Sequence, residues 1–187
     1  MLDLEAQRAA GRRFFVEIDA AEPCPLDFEG DPDIVLFFAS WAYTVQFGGM
    51  HELARAALHL QRRHKINLRP ILRYADRHIE EQADELELER MWQPAEELAA
   101  CCRAIASALE GGDTALDELV AGYETLAPRM RELASICEWA AARGARVRLS
   151  FDLSHDAPTA PRPEPHEHGP LLGPLGRPGE SRPWESR

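Results

Sequence analysis

Residues 94–144 read PAEELAACCRAIASALEGGDTALDELVAGYETLAPRMRELASICEWAAARG, a run of apolar stripes at helical spacing cut by helix-breaking residues. Leu98, Cys102, Ile105 and Leu109 recur every three or four positions, as do Met130, Leu133, Cys137 and Ala140. Side chains at such steps share one face of an α-helix. Pro94 and Pro128 suit first helical turns, and Gly111-Gly112 and Gly144 suit helix ends. Asp113 and Thr114 offer N-caps to a middle helix carrying Leu116, Leu119, Tyr123 and Leu126. Such one-faced helices gain their stability by packing their stripes together. The expected fold class is therefore mainly α, a helical bundle or set of hairpins.

The upstream half extends the pattern. Asp31-Pro32 opens the most apolar run, IVLFFASWAYTVQF at 34–47, which ends at Gly48-Gly49. Its fourteen residues fall short of the ~20 a membrane-spanning helix needs, so it reads as buried core around Phe37 and Trp41. MHELARAALHLQRRH places Leu53, Ala57 and Leu60 on one face and ends in bases suited to a helix C-terminus. Pro70 is expected to start a helix running to about Trp92. The count comes to five or six helices. Two stretches alternate instead: RFFVEID sets Phe14, Val16 and Ile18 on one side, and RVRLSFDL sets Val147, Leu149, Phe151 and Leu153 on one side. Paired, they give a small two-stranded β ribbon joining the ends of one domain, 1–153. The remainder, 154–187, holds eight of the 14 prolines and four of the 12 glycines and is expected to be a disordered tail.

The formal charge of −11, from 32 acids against 21 bases, argues against nucleic acid as the primary ligand, because a phosphate backbone demands clustered Lys and Arg. The N-terminal residues carry no basic-then-apolar signal pattern, so the expected compartment is the cytoplasm, with no membrane association. Cys24, Cys101, Cys102 and Cys137 have no metal-ligand spacing and read as free thiols. A bridge between the adjacent pair Cys101-Cys102 would be strained, since neighbouring helical positions point about 100° apart.

The segment RHIEEQADELELER, 77–90, packs one histidine and six carboxylates into fourteen residues. On a helical wheel Ile79, Leu72, Ala75, Ala83 and Leu86 share an inner face, with Glu80, Asp84 and Glu87 opposite. His78 sits at the boundary with Glu81 and Glu85 one and two turns on, which makes these three the candidate metal ligands. No histidine has a glutamate three residues before it, so a carboxylate-bridged di-iron pattern is absent. His51, His59 and His64 share a helix but no common edge. GxSxG, a Gly-rich phosphate loop and HExxH are also absent, so no catalytic residue and no cofactor is expected. Positive charges fill 61–75 (Arg62, Arg63, Lys65, Arg69, Arg73), and acids dominate 80–97. The expected function is that of a non-enzymatic, acidic protein-interaction module, an adaptor, regulator or inhibitor, whose Glu80, Glu81, Asp84, Glu85 and Glu87 receive a basic partner surface. The alternative is a metal-binding helical bundle acting as an enzyme or storage protein.

Overall fold

Six helices and a four-stranded sheet account for residues 11–153, which the computed structural model describes; the expected tail lies outside these residues. In chain order the elements are β1 (Phe14–Ile18), α1 (Asp33–Thr44), a 3₁₀ turn (Val45–Phe47), α2 (Glu52–Arg62), β2 (Tyr74–Asp76), α3 (Gln82–Arg90), β3 (Gln93–Pro94), α4 (Ala95–Leu109), α5 (Thr114–Leu119), α6 (Leu126–Ala141) and β4 (Arg146–Phe151). The protein is mainly α. Among the described residues no helix is long and apolar enough to cross a membrane.

The stripes of α4 and α6 pack together as their periodicity requires. Leu98, Cys102, Ile105, Met130, Leu133, Cys137 and Ala140 are all fully buried in the common core, and an Arg103–Glu138 ion pair spans the two helices on the outside. All four cysteines are free thiols, Cys24 half-buried and the rest buried. Burial pushes the thiols of Cys101 and Cys137 up to about 11 and about 12, and raises Cys102 as well. In α1, Phe38 rather than Phe37 turns inward. Phe38 is fully buried while Phe37 is 42% exposed and packs edge-on against Trp41 and His51. The all-apolar run had hidden which of the two adjacent rings meets the core.

The expected ribbon forms in register, antiparallel, with Phe14 opposite Phe151, Val16 opposite Leu149 and Ile18 opposite Val147. It is also larger than two strands. β2 joins β4 in parallel, Tyr74 opposite Leu149, and β3 joins it antiparallel, Gln93 opposite Val147. β4 is thus the central strand, with β1 on one side and β2 and β3 on the other.

β2 also breaks the helix expected from Pro70 to Trp92. Only Gln82–Arg90 of that span is helical, and the shared inner face does not exist. Ala75 is buried as a strand residue, Ala83 is exposed, and Ile79 and Leu86 are 50% and 51% exposed. The break is built from side chain to backbone. Asp76 Oδ1 accepts the His78 N–H at 2.9 Å, and Asp84 Oδ2 accepts the N–H groups of Glu80 and Glu81 at 3.0 and 2.9 Å. These bonds satisfy donors that a continuous helix would have used internally.

Candidate functional site

The acidic segment lies on the turn before α3 and on α3 itself. Asp84 is spent on capping that helix, and the two backbone donors hold its carboxyl below the usual carboxylate range. His78 Nε2 lies 3.4 Å from Glu80 Oε1, and Glu81 occupies the N-cap of α3. Glu89 bonds Arg148 at 2.9 Å. Leu88 is the buried residue that anchors α3. Among the described residues, Glu81, Glu85, Glu87, Glu96 and Glu97 form no ion pair with a base, and neither do Arg62, Arg63, Lys65, Arg69 and Arg73 with an acid. Instead Arg73 donates to the carbonyls of Arg90 and Trp92 at 2.6 and 3.2 Å, placing a cation at the C-terminal end of α3 where the helix dipole favours one. Among the described residues the basic stretch therefore leaves Glu85 and Glu87 of α3 without a basic partner.

His78, Glu81 and Glu85 do not converge as a ligand set. Among the described residues, one group of three metal-ligating side chains brings its donor atoms within 4.8 Å of one another, and it is His59, His64 and Asp113. His59 stands in the last turn of α2. Just beyond that helix Lys65 takes a left-handed backbone conformation, φ 57°, and the Ile66 N–H returns to Leu60 O at 3.2 Å. His64 stands two residues past the helix end, and its ring lies 5.6 Å from that of His59. A helical wheel, which assumes the helix continues, places the two on different edges; the helix ends at Arg62, before His64 is reached.

Asp113 divides its carboxylate between two tasks. Oδ1 caps α5, accepting the N–H groups of Ala115 and Leu116 at 3.1 and 3.3 Å. Oδ2 meets His59 Nε2 at 2.8 Å and His64 Nε2 at 3.0 Å. The side chains of His59, His64 and Asp113 are 24%, 27% and 21% exposed. The bond from His59, then that from His64 and the Leu116 N–H, pull the Asp113 carboxyl down to about 2 against the opposing effect of partial burial.

Because the folded-state value is depressed, the stability contributed by ionised Asp113 is present above the ordinary aspartate value near 4. It is lost as pH falls through about 2. Asp113→Asn keeps a capping oxygen but has no charge to titrate. The advantage of the wild-type protein over this variant, measured by urea unfolding, should therefore shrink between about pH 4 and 2. An advantage independent of pH in that window would show that the charge of Asp113 contributes nothing.

A second cluster is aromatic. The His51 ring stacks on Trp41 at 4.0 Å, nearly parallel, while His51 Nδ1 caps α2 by accepting the Leu53 N–H at 3.2 Å. Phe37 and Tyr123 close the group. His51 thus serves a cap and a stack, away from the His59–His64–Asp113 group.

Comparison of the chain with protein-family models, with curated proteins and with solved structures finds no match.

Proposed function

We propose that the protein is a non-enzymatic interaction module, an adaptor, regulator or inhibitor, whose acidic segment around α3 receives a basic surface of a partner protein. The observation that carries this reading is the pairing of exposed apolar and unpaired acidic groups there. Ile79 and Leu86 are half exposed in the same segment as Glu81, Glu85 and Glu87, which have no basic partner among the described residues. Carboxylates of this kind accelerate encounter with a basic surface and set its orientation. Apolar side chains beside them supply the contact that slows dissociation once water is excluded. Glu80 and Asp84 contribute to the field of the segment, although Asp84 also holds the turn in place.

The test separates these roles. A partner captured from the native host at low salt is tested against Glu85→Lys/Glu87→Lys, which leaves the capping residue Asp84 intact, and against Leu86→Ser. The charge reversal should slow association about tenfold at low salt, and the difference should fade as added salt shortens the screening length. Leu86→Ser should mainly speed dissociation. Unchanged rates in both variants would mean the segment is only a solvated face.

A further inference from the structure

We propose that His59, His64 and Asp113 form a binding site for a single first-row divalent transition ion of the zinc class. The donor set selects the ion. Two imidazole nitrogens and one carboxylate suit zinc, cobalt, nickel or iron, whereas calcium and magnesium require shells made largely of oxygen. The spacing fits as well. Ligands about 2.0–2.1 Å from a tetrahedral ion lie about 3.3 Å apart, and the two histidine-to-Asp113 separations, 2.8 and 3.0 Å, come within about half an ångström of that. The three ligand atoms are already gathered within 4.8 Å of one another.

Binding takes each imidazole in its neutral form, with its proton on Nδ1. With both rings neutral, each Nε2 hydrogen shifts to Nδ1, the freed Nε2 lone pairs turn to the ion, and Asp113 Oδ2 exchanges two N–H donors for the cation. Oδ1 remains on the N–H groups of Ala115 and Leu116, an outer set of bonds that fixes the orientation of the carboxylate. Three protein ligands leave a coordination position on the exposed side for water or an incoming donor. His59 and His64 precede Asp113 by 54 and 49 residues. An ion there would therefore tie the turn after α2 to the start of α5. The site stands apart from α3 and does not rest on the interaction reading.

The experiment uses the full chain stripped of metal with a chelator. Zinc is titrated by calorimetry, and cobalt is followed by its visible absorption as a report on coordination. The wild type should bind one equivalent and unfold at a higher temperature when loaded. His64→Gln, in a turn outside the core, and Asp113→Asn, which preserves a capping oxygen, should each weaken binding about 100-fold, the upper range seen even for outer-shell partners. His78→Gln and the double variant His166→Ala/His168→Ala should bind as the wild type does. Three results overturn the proposal: no saturable binding up to about 1 mM ion; binding by His64→Gln and Asp113→Asn within about tenfold of wild type; or affinity that follows His78 or the histidines of 154–187 instead.

Discussion

Phe38→Ala should lower stability by about 3–5 kcal/mol, while Phe37→Ala, one position earlier, should cost only about 1–2 kcal/mol. Phe38 is fully enclosed in the core, so truncation leaves a cavity that its rigid neighbours cannot close. Phe37 stands 42% exposed, and its loss removes edge contacts with Trp41, His51 and Tyr123 without opening a void in the interior. Leu98→Ala, at the centre of the α4 stripe and fully buried, should fall with Phe38 at about 2–5 kcal/mol. Urea unfolding of the three variants at one pH decides the matter. Equal losses at Phe37 and Phe38 would mean that α1 is rotated about its axis.

Arg148→Ala should cost about 1.5–3 kcal/mol, the range for hydrogen bonds to charged groups. Arg148 lies on β4 with its side chain 11% exposed. Nε donates to Glu17 Oε2 at 2.8 Å and Nη1 to Glu89 Oε1 at 2.9 Å, and the guanidinium stands 4.6 Å from the centre of the Trp92 ring. Glu17 lies on the neighbouring strand and also accepts from the fully buried Ser150 at 3.2 Å. Removing the cation leaves Glu17 only the Ser150 hydroxyl and the more distant Arg77, at 4.0 Å. Arg148→Met keeps the aliphatic stem and should recover the packing share alone, remaining about 1 kcal/mol or more below wild type. Full recovery in Arg148→Met would show that packing, and not charge, is what Arg148 supplies.

The elements legible in the sequence are those whose stability resides in their own pattern. The stripe Met130, Leu133, Cys137, Ala140 and the alternation Val147, Leu149 each specify a face, and those faces are buried. The register of β1 on β4 follows from the same alternation. β2 and β3, of three and two residues, have no period to read; they exist because β4 offers unpaired backbone groups alongside them. A single period imposed on 70–92 therefore joined a strand, a turn and a helix into one. The His59–His64–Asp113 group was hidden for a related reason. Asp113 is recognisable as a cap, but its two histidines lie 54 and 49 residues upstream, and no period in the sequence links positions so far apart.

The position of β4 fixes an order of events during synthesis. β1, β2 and β3 all pair with the strand that follows them in the chain, and Glu17 precedes its partner Arg148 by 131 residues. At elongation rates of about 5–20 residues per second, β1 waits on the order of 10 s for the strand that completes it. α1 and α2 can pair long before that, and α4 and α6 join just ahead of β4. The sheet is thus the last layer to close. A nascent chain halted before residue 146 would hold its helices with a bare strand edge, the form most exposed to chaperones and to self-association.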